Sequence, residues 1–360
     1  MGFDEDINVR DRKVEHIDIV LKESPEYHIS TWFEYVYLIH NSLPELSIDD
    51  IDTHLDLFGS RFEYPILIDS MTGGGENTDK INRALAELAY KYQVPISCGS
   101  QKAYLKYPEL GYTYRVMRDV SKDLFIIGNI GGQDIRNNPK EVVDKIVSLI
   151  EADALAIHLN PLQELTQPEG DRDFRGVIDA IVEVVDYLDI PIIVKETGAG
   201  MSYEVAKSLE AAGVSAINVS GAGGTSWSAV EVLRSRRRFP EHLGIGDIYW
   251  DWGIPTAASI IETVNSVDIP VIASGGIRSG LDIVKSIVLG AEMAGLASPF
   301  LKALSKGIDY LDKYMESLIM QVKVGMLLTG SKDLKSLKEA RYVLLGPLKE
   351  WVVQRGVWSG

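Results

Sequence analysis

Residues 190–221 read IPIIVKETGAGMSYEVAKSLEAAGVSAINVSG, and the reading of that stretch decides the fold. Two short β-rich runs, Ile190–Glu196 and Val214–Gly221, bracket an amphipathic segment at Ser202–Ala212. Each run is nearly continuous in apolar residues instead of alternating, as strands covered on both faces of a parallel sheet are. Parallel neighbours need a crossover, and the middle segment supplies one as a helix.

Outward from that unit the pattern repeats. Pro65–Ser70 (PILIDS), Val94–Gly99 (VPISCG), Leu124–Ile130 (LFIIGNI) and Ala154–Asn160 (ALAIHLN) precede it, while Ile269–Gly276 (IPVIASGG) and Ala291–Ser298 (AEMAGLAS) follow. Further helical patterns lie at Asn77–Tyr92, Pro139–Glu151 and Leu281–Leu289. Eight strand–helix units predict an α/β fold, a closed (β/α)₈ TIM barrel. A doubly wound open sheet needs no eighth strand and usually carries G-x-G-x-x-G after its first; none follows Pro65–Ser70. The expected layout is a single domain over residues 1–360, with an N-terminal extension at 1–64, the barrel at 65–300 and extra C-terminal helices at 301–360. The extension carries the aromatic patch Trp32-Phe33-Glu34-Tyr35. Extra material at Arg234–Pro255, with Arg236-Arg237-Arg238 and Tyr249-Trp250-Asp251-Trp252, reads as a lid or an interface.

Composition narrows the function. The chain has 46% hydrophobic and 24% charged residues, the balance of a globular protein with a large core. Its 36 Lys and Arg against 52 Asp and Glu leave a net charge of −16. That argues against nucleic-acid or anionic-membrane binding, which want basic surfaces, but leaves room for a small basic pocket. One cysteine, Cys98, allows no intramolecular disulfide and no cysteine-built zinc or iron–sulfur site. No signal peptide and no apolar span of membrane length is evident, so the expected location is cytoplasmic.

In such barrels the chemistry sits at the C-terminal ends of the strands. These ends are small or polar here: Met71-Thr72-Gly73, Ser100-Gln101-Lys102, Asn129, His158 with Asn160, Lys195, Ser220, Gly275-Gly276 and Ala297-Ser298. Glycines after strands seven and eight suit a phosphate approached by backbone N–H groups, although ordinary turns also end in glycine. Ser220–Trp227 holds more glycine than a turn needs and could wrap a phosphate or a ring edge. Lys195 ends an apolar strand and so wants an anion: it could be a Schiff-base nucleophile, a phosphate partner, or a cation beside a reduced flavin. His158 and Asn160, two apart, would both point inward, although a lone histidine can equally be a satisfied core residue. Gln163 and Glu164 lie on the loop above; a carboxylate near a diphosphate usually means Mg²⁺, although a polar loop with no metal is the alternative. Arg12 and Glu15 could form no more than a helix salt bridge.

Together these blocks resemble the type 2 isopentenyl diphosphate isomerase family, which is flavin-dependent. The resemblance spans residues 12–300: RKVEHI at Arg12–Ile17, MTGG at Met71–Gly74, GSQ at Gly99–Gln101, HLNPLQE at His158–Glu164 and QPEGDR at Gln167–Arg172. It continues with VKETGAG at Val194–Gly200, VSGAGGTSW at Val219–Trp227, DWGIPT at Asp251–Thr256 and SGGIR at Ser274–Arg278. It implies FMN contacts from Met71, Thr72, Gly73, Ser100, Asn129, Lys195, Ser220 and Thr225, with the cofactor phosphate at Gly275, Gly276, Ile277, Ala297 and Ser298. It implies further that Arg12, Lys13, Ser100, Gln101 and Lys102 bind the diphosphate of isopentenyl diphosphate, and that Glu164 holds Mg²⁺. Gln163 would lie at the reacting carbons, with His158, Asn160 and Glu231 completing a polar wall and Lys195 stabilising the reduced ring. NAD(P)H would serve only to reduce the flavin. The C-terminal helices and acidic surface suit a homo-oligomer, a tetramer or an octamer. One departure stands out: Lys102 replaces the arginine usual in the family, so a two-pronged phosphate contact becomes a point charge. Asp69 carries no assignment. A 2-hydroxy acid oxidase or a dihydroorotate dehydrogenase is the rival flavin barrel, and would show net electron transfer.

Overall fold

The computed structural model describes residues 9–167, 169–238 and 244–357, without the side chains of residues 9–12 and 238. Eight parallel strands close into a barrel. In chain order they are β1 (Ile66–Ile68), β2 (Ile96–Ser97), β3 (Ile126–Gly131) and β4 (Ala154–Leu159), then β5 (Ile192–Glu196), β6 (Ala216–Asn218), β7 (Val271–Ser274) and β8 (Met293–Leu296). The ring shuts where β8 pairs with β1, in the register Ala294↔Ile66, Gly295↔Leu67 and Leu296↔Ile68. All eight lie inside the expected runs, except that β3 reaches one residue further, to Gly131. Most are shorter than their runs, and in six of the eight the last residues of the run leave the ladder to form the barrel mouth.

The helices start where side chains can satisfy their free N–H groups. Ser202 accepts from Val205 N at the head of Tyr203–Ala211, and Ser279 forms a capping box with Asp282 at the head of Gly280–Val288. The other two helices expected from pattern run Thr78–Tyr92 and Pro139–Ile150.

The two extensions meet each other. Val36–Leu38 pairs antiparallel with Tyr342–Leu344. A hairpin, Leu55–Leu57 with Ser60–Phe62, packs Phe58 and Phe62 on Phe125 at the N-terminal end of β3. Three helices frame the opposite end: α1 (Val9–Lys22), α2 (Pro161–Thr166) after β4, and α3 (Trp227–Arg238) after β6. The basic run belongs to α3: Arg237 pairs with Asp18 and Glu23, and Arg236 with Asp247. Arg237 therefore ties the insertion to α1, while Arg236 holds the insertion to itself.

Candidate active site

All eight strand ends open into one cavity of about 1580 Å³, measured out to its open mouth. β1 and β2 deliver Met71, Thr72, Ser100 and Lys102; β3 and β4 deliver Asn129, His158 and Asn160. α2 adds Gln163 and Glu164, β5 adds Lys195, and the segment after β6 adds Ser220 and Thr225. Gly275, Gly276 and Ile277 follow β7, Ala297 and Ser298 follow β8, and Lys13 reaches in from α1. Three expected residues do not line this cavity: Gln101, Gly73 and the fully buried Glu231. Gln101 is fully buried, donating to Ile146 O at 2.9 Å and accepting from Asn129 N at 3.1 Å. Gly73 backs onto the Tyr114 ring, where a Cβ would come within 2.0 Å. The Arg12 side chain lies outside the described residues.

The wall at β4 is built by local chain logic. Pro161 fills the first position of α2, where its missing N–H costs nothing, so Gln163 and Glu164 fall on the first turn beside Asn160. Asn160 donates to Gln163 Oε1 at 3.2 Å and Glu164 Oε1 at 3.1 Å, while its own Oδ1 is buried without a partner. Asp171 N donates to Glu164 Oε2 at 2.8 Å, and Arg172 donates to Glu164 O. Gly170 is obligatory in this fold-back, because a Cβ there would meet Glu164 O at 1.9 Å. One carboxylate set among neutral donors fits Mg²⁺, which keeps waters and takes its remaining oxygens from a phosphate. Among the described residues no cluster of three His, Cys, Asp or Glu could hold a metal alone.

Charge in the mouth is mostly positive. Lys195, 6% exposed, donates to Glu196 O at 2.9 Å. Lys102 pairs with Asp134 at 2.8 Å, so part of its charge is already spent on a carboxylate. Burial first, then the cations Lys195, Lys13 and Lys102, push the pKa of His158 down to about 3. The ring is neutral near pH 7.

Helices α1 and α3 contribute a buried network in which only Glu231 was anticipated. His16 Nε2 lies 2.9 Å from Glu231 Oε1, and Gln163 Nε2 donates to the same oxygen at 3.4 Å. Arg234 donates to Glu231 Oε2 at 2.7 Å and to Glu169 Oε1 at 2.6 Å. Burial alone would raise the Glu231 carboxyl, but His16 and Arg234 bring it down to about 2. His16 packs edge-on to Trp227 with ring centroids 5.2 Å apart, and both line the cavity. The signal for His16 was present: Lys13, His16, Ile17 and Val20 share one helical face, and all four face the cavity. Asp69 also lines it, accepting from Ser70 N at 2.7 Å and Asn218 Nδ2 at 3.0 Å; Asn218 in turn accepts from Ser274.

The glycine-rich loops serve two ends. Gly275 and Gly276 have φ of +95° and +68°, which only glycine adopts without strain. They also stack on the β6 segment: a Cβ on Gly275 would meet Gly221 O at 2.1 Å, and one on Gly224 would meet Gly276 N at 2.4 Å. The N-terminal extension straps this stack, since Gly223 touches Thr31 and Tyr27 N donates to Gly224 O at 2.9 Å. Glu26 pairs with Arg278 at 3.3 Å and Lys302 at 3.0 Å. Thr72 Oγ1 and Ser298 Oγ are buried in this mouth without partners. Orphaned hydroxyls beside bare backbone form a cradle that fits FMN and its phosphate.

Comparison with known proteins agrees with this geometry. Residues 169–344 match a family model described as FMN-dependent dehydrogenase. A mandelate oxidase variant superposes with a TM-score of 0.65 at 18% identity, covering 92% of this chain and 94% of that one. A lactate oxidase of Pediococcus acidilactici gives 0.68 at 13% identity, covering 96% of each chain. Both likenesses show the fold. The isopentenyl-diphosphate delta-isomerase of Methanothermobacter thermautotrophicus is 45% identical over 97% of each chain. Those of Halobacterium salinarum and Pyrococcus abyssi are 46% identical over 99% of each chain, and 44% identical over 96% of this chain and 95% of that one, respectively. The chain belongs to the type 2 isopentenyl-diphosphate delta-isomerase family.

Proposed function

We propose that this protein converts isopentenyl diphosphate to dimethylallyl diphosphate by an allylic proton shift, a step of isoprenoid biosynthesis, with FMN as cofactor and Mg²⁺ on the substrate. The observation that carries this reading is the pairing of two anion-seeking faces in one cavity. Gly275, Gly276 and Ser298 line it from β7 and β8; Lys13 and Lys102, with the Mg²⁺ that Glu164 would hold, make the second face. A flavin with its phosphate occupies one face and leaves a diphosphate the other.

Met71, Thr72, Ser100, Asn129, Ser220 and Thr225 surround the flavin, with Gly73 shaping the turn behind it. Gly275–Ile277 and Ala297–Ser298 take its phosphate. Reduced by NAD(P)H, the flavin supplies acid–base chemistry at no net cost in electrons. Lys195 offers a buried cation to the reduced ring. Lys13, Lys102 and Ser100, with Arg12 from the same helix, hold the diphosphate, and Glu164 holds its Mg²⁺. Gln101 supports that strand end from behind. Asn160 orients Gln163 and Glu164, and Gln163 and His158 bound the space in which the allyl unit reacts.

The whole chain acts as one FMN-binding barrel domain, cytoplasmic and homo-oligomeric, with no nucleic-acid or membrane partner. No helix among the described residues is long and apolar enough to cross a membrane. The test is direct. FMN-loaded protein, reduced anaerobically and given Mg²⁺, should interconvert the two diphosphates without stoichiometric NAD(P)H oxidation. Product formation that consumes NAD(P)H mole for mole, or no isomerisation by the reduced holoenzyme, would overturn it.

A further inference from the structure

The hydrogen bonds behind His158 form a chain with only one consistent direction. Asn129 lies on β3 beside β4, 3% exposed, and its side-chain nitrogen is 3.2 Å from Cys98 O. A carbonyl oxygen can only accept, so the atom facing it must be Nδ2, and the amide orientation is fixed. The same Nδ2 donates to Ser70 Oγ at 2.7 Å, and Ser70 Oγ lies 2.7 Å from Ser97 Oγ. Asn129 Oδ1 is thereby turned toward His158, 2.7 Å from Nδ1. An amide oxygen is an acceptor only, so Nδ1 must carry the hydrogen.

We infer that Asn129, anchored by Cys98 O and Ser70, locks His158 in the Nδ1–H tautomer, so that Nε2 presents a bare lone pair to the active-site cavity. Asn129 is then a positioning residue for His158 as well as part of the wall around the flavin. His158 works as a hydrogen-bond acceptor and not as a donor. Protonating Nε2 would place an imidazolium among Lys195, Lys13 and Lys102, and the nearby carboxylate, Asp134, is already paired with Lys102 at 2.8 Å. The proton added to the allylic substrate therefore does not come from His158. A donor N–H or O–H of the bound ligands, or the cation-like carbon of the transition state, is what its lone pair meets.

This inference rests on the flavin-dependent isomerase reading only for which ligand meets Nε2; the tautomer itself is read without turnover. The experiment is a long-range ¹H–¹⁵N correlation spectrum of oxidised FMN holoenzyme labelled with ¹⁵N-histidine, with His158→Gln identifying the signal. The ring nitrogen coupled to both carbon-bound protons is Nε2. It is expected in the region of an unprotonated nitrogen, with Nδ1 protonated, unchanged from mildly acidic to mildly alkaline buffer. In Asn129→Ala the two nitrogens should move toward an averaged shift as both tautomers become populated. In Asn129→Asp a carboxylate beside Nδ1 should let the ring titrate nearer neutrality. A proton on Nε2 in the native holoenzyme, or an Asn129→Ala spectrum identical to the native one, would overturn the lock. Loss of isomerase activity with an intact spectral pattern would count against the functional reading and not against the tautomer.

Discussion

Glu164 and Lys195 show how much one side chain carries in this site. Glu164 has both oxygens oriented by donors before any metal arrives. Glu164→Gln keeps the shape and the hydrogen-bond acceptor but loses the charge that a hard cation needs. Isomerisation should fall by about a hundredfold or more, the loss of roughly 3 kcal/mol of Lewis-acid stabilisation, with the flavin spectrum retained. Undiminished Mg²⁺-dependent turnover would remove Glu164 from the metal site. Lys195→Met preserves volume and deletes the cation. The midpoint potential of bound FMN should drop by roughly 30–90 mV, the two-electron equivalent of one to three pK units of charge stabilisation. Dye-equilibration titration reads it, and an unmoved potential would dismiss the lysine from that role. Both residues were legible in the sequence: Lys195 puts a charge at the end of an apolar strand, and Glu164 lies in the segment just after one. Asp69 breaks the pattern equally and could not be assigned, because its long-range partner Asn218 meets it only once the barrel closes.

At the level of elements, α3 braces α1 and the loop after α2 through one buried arginine. Arg234 is 2% exposed and bridges Glu231 and Glu169. Removing one partner of a buried pair leaves the other charge uncompensated, so Arg234→Met should destabilise the fold by about 3–5 kcal/mol in urea. The pH dependence has a definite sign. The Glu231 carboxyl is held at about 2 in the folded state against an ordinary 4.5. Its contribution is therefore complete above about 4.5 and is lost as pH falls from there toward 2. Native protein should lose stability steeply across that window, and Glu231→Gln less steeply; parallel acid-denaturation curves would contradict the assignment. The sequence suggested a lid or an interface for this insertion, because a long insertion between elements of a compact domain is usually one or the other. Its acidic partners Asp18 and Glu23 lie more than two hundred residues away, beyond the reach of any local pattern.

Across the whole molecule, the barrel was readable because eight near-continuous apolar runs leave few other solutions, and each strand formed inside its run apart from the single extra residue of β3. The extensions were not, since Val36–Leu38 finds its partner at Tyr342–Leu344, at the far end of the chain. The glycines of the mouth were read as a phosphate wrap, and local pattern could not reveal that they also stack loop on loop. The N-terminal helix is separable in principle. Lys13, His16, Ile17 and Val20 line the cavity from the helix, and the strand ends line it from the barrel. Deleting residues 1–22 should leave FMN bound but raise KM for the diphosphate and cut kcat/KM by about a hundredfold or more, the loss of at least two charged contacts at roughly 1.5–3 kcal/mol each. Full activity in the truncated protein would show that the helix is dispensable.

The strap formed by Glu26 to Thr31 also has a consequence for biosynthesis. Its partners, Gly223, Gly224, Arg278 and Lys302, are made some two hundred residues or more after it. A nascent chain emerges from its N-terminus, so these early residues must wait, undocked, until the last strands of the barrel have left the ribosome. The cofactor pocket is thus finished by residues synthesised near the start and placed near the end. On that order of synthesis the strap can close only after the chain has passed Lys302.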